Sequence, residues 1–227
     1  MHSSHSPHDP AHFPALTEDL LYSDYRKTEE LGTLRQAARA LAAETNSQSV
    51  LRTLCELSMV RGQASGAAVA ELSGDNGVYV ACAGRANDLL SMTFALEGTV
   101  TGRVANELRA ITILSPDASS PFFAELLPRL GIGPILLLPL LANGQLFGVL
   151  SISRDTGHPQ FDDDDEERLG VMADLAALAL WKARLLEDAR SADAAKTSLL
   201  ATLAHELRTP LTALEGYSEL LEDQILG

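Results

Sequence analysis

The sequence predicts an α+β fold, with a central antiparallel sheet flanked by helices and a long coiled-coil-type helix running on from it. Three observations predict it. Short β-prone runs in the middle of the chain are separated by Gly, Asn and Asp clusters. Helical periodicities lie on either side of those runs. From Glu166 to Thr209 there is one glycine, Gly170, and no proline, so nothing in that stretch interrupts a helix.

The first stretch, MHSSHSPHDPAHFP, holds His2, His5, His8 and His12 among Ser and Pro without apolar periodicity, and residues 1–27 read as a disordered tail and lead-in. Leu31, Leu34, Ala38 and Leu41 then mark an amphipathic helix that could pair with its copy. TNSQS interrupts it, with Ser47 or Ser49 as the N-cap of a second helix whose apolar positions Val50, Leu51, Leu54 and Leu57 run up to Gly62. AAVAEL (67–72) and VYVACAG (78–84) flank SGDNG, which reads as a hairpin loop. TFALEGTVTGRVANELRAITI gives a strand, a short helix around Gly102 to Asn106 and another short strand, followed by SPDASSP as a loop.

The uncharged run 131–152 is long enough to cross a bilayer. It is broken by Pro134, Pro139 and the Asn143-Gly144 pair, the signal for a two-residue hairpin, so it reads as two adjacent buried strands rather than a membrane span. Phe161 precedes the run Asp162 to Glu167, where an aspartate caps a new helix and further acids suit its N-terminal dipole. Leu169, Met172, Leu175, Leu178 and Leu185 continue the apolar face of that helix. The divisions expected are 28–186 for the N-terminal helix plus the sheet-containing domain (core 47–186), 187–194 for a helical linker and 195–227 for a final helix.

Composition narrows the function classes. The 227 residues are 46% hydrophobic, enough for a buried core, and carry a net charge of −14, which argues against nucleic acid as a partner. Two cysteines, Cys55 and Cys82, are too few for a disulfide framework or metal site, and with no secretory signal at the start the expected location is cytoplasmic.

The last segment carries the chemistry. Within KTSLLATLAHELRTPLTALEGYSELLE, Leu200, Leu203, Leu207, Leu211, Leu214, Leu221 and Ile225 recur at helical spacing. His205 lies two residues from Leu203 and Leu207, roughly 200° around the helix from that stripe, so its imidazole should face solvent. An imidazole of ordinary pKa, about 6.5, is mostly neutral near pH 7 and leaves one ring nitrogen free as a nucleophile. Thr209, four residues on, shares the face of His205, and Pro210 lacks a backbone donor and crowds the carbonyl of Glu206, so a bend should follow the histidine. A zinc site of the HExxH type is excluded, because Thr209 stands where the second histidine would be.

The string HELRTPL, from His205 to Leu211, resembles the H-box of histidine protein kinases over roughly residues 195–226. The resemblance implies that His205 is the phospho-acceptor. It further implies that Glu206 acts as acid or base on the other ring nitrogen, that Thr209 positions water for dephosphorylation, and that Pro210 makes the bend. The strings FALEGTVTGRVA, LLLPLLANGQLFGVLSI and FDDDDEERLGVMADLAALAL resemble a GAF domain, a PAS-like sensory fold, over roughly Ser47 to Leu186. Such domains bind cyclic nucleotides, tetrapyrroles or other small molecules, or only dimerise.

Residues 28–181 contain no lysine and no histidine lies between His12 and His158, which weighs against a cyclic nucleotide and against haem; neither cysteine has a neighbouring histidine for a covalent bilin. A small-molecule ligand is expected without being identified. No GxxxxGKS or GxGxxG string cradles phosphate, so ATP and Mg would have to act through a catalytic domain outside this sequence. The expected partners are a second copy, through the N-terminal, linker and H-box helices, a kinase catalytic domain and a response regulator. The function expected is the sensory and phospho-acceptor portion of a cytoplasmic two-component histidine kinase. The alternatives are a non-catalytic GAF binding and dimerisation module, and a phosphotransfer partner of a complete kinase.

Overall fold

The computed structural model of the chain describes residues 32–114, 123, 126 and 129–226, without the side chains of 207, 209–211 and 213–226. The tail expected over 1–27 and the SPDASSP loop lie outside the described residues. The chain divides into two compact units, Met1–Leu180 and Trp181–Gly227.

The first unit opens with helix α1 (32–43) and helix α2, Ser47–Arg61. The N-cap of α2 is Asn46, not Ser47 or Ser49: its backbone is extended (φ −137°, ψ 151°), and its side chain accepts from the Ser49 amide at 2.8 Å. An amide oxygen one residue ahead of the serines satisfies the same free N–H, and Ser49 becomes a residue of the first turn. The apolar stripe of α1 is used within the unit, where Ala37 and Leu41 are each 1% exposed and Leu41 joins the core. A second copy would have to meet α1 on another face.

Six strands follow, β1 Gly66–Ser73, β2 Asn76–Gly84, β3 Thr93–Ala95, β4 Ile111–Ile113, β5 Ile132–Ala142 and β6 Gln145–Asp155. A short 3-10 helix, Arg85–Leu89, sits between β2 and β3, and helix α3, Val100–Glu107, between β3 and β4. The sheet order is β3-β2-β1-β6-β5-β4 and all five pairings are antiparallel. The SGDNG turn is tighter than a five-residue loop. Ser73 pairs with Asn76, so only Gly74 and Asp75 turn the chain, with Gly74 at φ +57° where a side chain would be strained. Ala142 likewise pairs with Gln145 around Asn143 (φ +51°) and Gly144 (φ +74°), the two positive angles of a type I′ turn.

The run 131–152 is therefore two long paired strands, with β5 almost wholly buried. Among the described residues no helix is long and apolar enough to cross a membrane. Apolar side chains pack on both faces of the sheet. One cluster joins α1, α2 and the start of helix α4 (Asp163–Leu226) to Val69, Leu136, Leu138, Leu150 and Ile152. The other gathers Ala68, Tyr79, Leu89, Phe94, Val104 and Leu137 on the opposite face.

The apolar face of α4 differs from the expected row. Leu169, Met172, Ala173, Ala176, Ala177 and Leu180 are buried, whereas Leu178 is 50% and Leu185 49% exposed. Small alanines let the helix backbone approach the sheet closely, which turns the bulky Leu178 outward.

Candidate functional site

The second unit consists of the continuation of α4, from Trp181 on. His205 and Glu206 stand in this helix with exposed side chains, as does Arg208. The helix continues through Thr209 and Pro210, whose side chains lie outside the described residues, so the proline does not end it. Exposure alone does not single out His205: Leu199, Leu200 and Leu203 are 60%, 58% and 48% exposed, so the apolar stripe is uncovered too. The helix displays an imidazole with a carboxylate as its next neighbour in sequence.

Two features of the first unit are not singled out by the sequence. One is a cavity of about 60 Å³ on the α3 face of the sheet, lined by residues that include Tyr79, Thr99, Thr101, Ile135, Leu137 and Ser151. Its wall continues into an aromatic group, with the Tyr79 and Phe94 rings 4.9 Å apart and Phe123 edge-on to Phe94 at 5.3 Å. Thr99 fixes the neighbouring helix end, its hydroxyl donating to the Leu96 carbonyl at 2.8 Å and accepting from the Gly102 amide at 3.1 Å. Burial, with a smaller contribution from Cys82, pushes the Tyr79 phenol well above its ordinary range, so it remains a neutral hydroxyl.

The other is the join between β6 and α4. Arg154 donates to Gly62 O through Nε and Nη2 at 3.0 and 2.9 Å, and to Pro159 O and Gln160 O through Nη1. Its Nη2 also reaches Asp165 Oδ2 at 2.8 Å, and its guanidinium lies 4.1 Å from the Phe161 ring centroid. Asp165 pairs in addition with Arg168, and its amide donates to Asp162 Oδ1 at 2.8 Å, which makes Asp162 the expected aspartate cap. The signal in the sequence is an arginine ending a buried strand, just before an acidic helix start. Distance along the chain gives no way to tie it to Gly62.

Cys55 is buried and Cys82 half-buried, both as free thiols. Burial first, then the nearby Cys82 and Glu56, raises the Cys55 thiol to about 12, and burial raises Cys82 to about 11, so neither is a reactive nucleophile. Among the described residues no group of three His, Cys, Asp or Glu side chains is placed to hold a metal ion.

The first unit is an antiparallel sheet with helices and a pocket on one face, and the second is a helix that displays a histidine. The GAF domain model matches residues 44–180, and the chain belongs to that family. The His Kinase A (phospho-acceptor) domain model matches residues 195–226. The chain is 27% identical over 132 residues to the circadian input-output histidine kinase CikA of Synechococcus elongatus, covering 44% of this chain and 18% of that protein. It is 38% identical over 86 residues to an uncharacterized sensor-like histidine kinase of Rhizobium meliloti, covering 38% of this chain and 13% of that one. The chain thus spans less than a fifth of the length of either relative.

Among solved structures, the fold is shared with the GAF domain of an Acinetobacter phosphoenolpyruvate-protein phosphotransferase at 12% identity (TM-score 0.58, 70% of this chain and 98% of that one). It is shared also with the second GAF domain of DevS from Mycobacterium smegmatis at 23% identity (TM-score 0.53, 64% and 99%). A GAF domain followed by a phospho-acceptor domain, with histidine kinases as relatives, is the sensory and phospho-acceptor part of a two-component kinase.

Proposed function

We propose that His205 is the phosphorylated residue of this part and that the GAF domain governs its phosphorylation. A neutral ring nitrogen attacks the γ-phosphorus of ATP presented by a kinase catalytic domain; an N–P bond forms as the bond to ADP breaks. The phosphoryl group then passes to an aspartate of a response regulator. In this reading Glu206 takes up or holds the proton on the other ring nitrogen, Thr209 orients water when the phosphohistidine is hydrolysed, and Pro210 provides the bend beyond the histidine. The working divisions are 28–186 for the sensor with its leading helix, 187–194 for the linker and 195–227 for the acceptor helix, acting in a cytoplasmic homodimer.

The observation that carries the reading is the exposed His205 in HELRTPL, on the same helix that begins at Asp163 inside the GAF unit. The test is phosphorylation with γ-labelled ATP and a supplied histidine-kinase catalytic domain. Acid-labile label is expected on the wild type and not on His205→Ala, with a response regulator's aspartate as the next acceptor. No label under any condition overturns the reading in favour of a non-catalytic GAF module.

A further inference from the structure

Between Leu185 and Leu203, helix α4 carries a row spaced for a second helix, with one residue in it that opposes the pairing. Leu185, Ala189, Ala192, Lys196, Leu199 and Leu203 step by four, three, four, three and four, the alternation of the two inward positions in paired helices. All six lie in the second unit and are exposed, the leucines at 49%, 60% and 48%. Lys196 is the only charged member of the row, and Lys182, fourteen residues earlier, stands at the equivalent position.

The middle of the row is its weak part. Ala189 and Ala192 have only a methyl group each to bury, so they contribute little hydrophobic stabilisation. Lys196 contributes less, because its ammonium must either leave water or bend its stem aside to lie in a seam. A parallel, in-register copy adds two repulsions. It brings Lys196 opposite Lys196 of the second copy. It also sets Asp188, just before Ala189, beside Asp193 of the second copy, just after Ala192, since residues five apart flank the seam on opposite helices. Both pairs are of like sign.

We propose that Lys196 is a built-in weak point in the pairing of α4 with a second copy. It holds residues 189–196 close to the balance between paired and separated, while Leu199 and Leu203 keep the pair together beyond it. The stretch is then a two-state element that ends nine residues before His205, and a modest change in free energy tips it. The inference rests on the reading that the acceptor helix acts in a homodimer, and it names where in that pair a change of state is easiest.

The test compares the full chain with Lys196→Leu and Arg190→Leu by sedimentation equilibrium. Both variants lose one positive charge and gain one leucine at an exposed helix position, and the three residue types have similar helix propensities, so only the place relative to the row differs. Lys196→Leu should tighten self-association about a hundredfold or more, because each copy buries an added leucine. Arg190→Leu, off the row, should leave association unchanged or weaken it, because a chain of net charge −14 repels its copy more when a positive charge is lost. Hydrogen exchange at amides 189–196 should slow at least about tenfold in Lys196→Leu alone. Equal tightening in Arg190→Leu, or unchanged exchange at 189–196, overturns the proposal. Self-association of the wild type that Lys196→Leu does not tighten refutes the weak point and leaves the homodimer reading intact. Absence of self-association in all three chains refutes the homodimer reading and the proposal with it.

Discussion

Replacing Arg154 by Met tests whether the join between β6 and α4 is a main support of the GAF unit. The side chain is 10% exposed and makes five hydrogen bonds, to Gly62 O twice, Pro159 O, Gln160 O and Asp165 Oδ2. Methionine keeps the length of the stem and removes every donor. Three carbonyls lose their partner, and Asp165, itself 8% exposed, keeps Arg168 and a long hydrogen bond of 3.4 Å from the Asp162 amide. Removing one side of a buried pair costs about 3–5 kcal/mol, because the other charge remains desolvated. Native-state hydrogen exchange of β1 and β6 amides is the assay, since those two strands are paired at the centre of the sheet. The expected change is acceleration by about a hundredfold to a few thousandfold, each 1.4 kcal/mol being a factor of ten. Arg154→Lys should fall between, because an ammonium retains the charge and loses the planar fork. Acceleration of less than tenfold in Arg154→Met would refute the argument and reduce the network to a surface-like pair.

The remaining expectations come from single positions. Gly102→Ala places a methyl 2.3 Å from the Leu96 carbonyl oxygen, so it should destabilise by about 1–3 kcal/mol in chemical denaturation despite alanine's better helix propensity; a stabilised variant would contradict this. Cys55 ionises near 9.0 when unfolded and at about 12 when folded, so the folded state holds its proton more tightly. Its contribution is complete below pH 9 and declines as pH rises toward 12, by about 2–3 kcal/mol at pH 11. Cys55→Ala should flatten that alkaline slope in pH-dependent denaturation, and an unchanged slope would show that the thiol is not responsible. Inserting two residues near Ala192 rotates the downstream part of the helix by about 200° and should abolish ligand or dimer dependence of His205 phosphorylation in the supplied-domain assay; retained dependence would refute coupling through the helix.

The elements that can be read from the sequence are those whose cause is local. Asn143-Gly144 demands two positive φ angles, and the structure has them at +51° and +74°. HELRTPL is legible for the same reason, since identity and spacing lie within seven residues of one helix. The sequence leaves the N-cap of α2 ambiguous because Asn46 and the two serines all offer an acceptor oxygen, and only the backbone angles decide for Asn46 over the expected serines. The cavity hydroxyls and the partners of Arg154 are not legible at all. Thr101 and Ser151 come to one wall from residues fifty apart, and Arg154 meets Gly62 across 92 residues, so each depends on which strands are neighbours. β6 pairs with β5 through the Asn143-Gly144 hairpin, but its pairing with β1 on the other side is encoded by no hairpin signal.

Helix α4 shows why the tertiary packing of a correctly expected helix can still differ from its leucine pattern. The row Leu169, Met172, Leu175, Leu178 and Leu185 reads as one apolar face because these are the larger hydrophobes. Burying Ala173, Ala176 and Ala177 instead allows closer approach of the helix to the sheet, with Leu169, Met172 and Leu180 filling the remaining space. The side chains this leaves outside have their own order. In the first unit Val171 and Leu178 are 38% and 50% exposed seven residues apart, and in the second Leu185 and Leu199 are 49% and 60% exposed fourteen residues apart. A seven-residue apolar repeat is the seam of paired helices, so the side chains released from the GAF core are spaced for a partner helix.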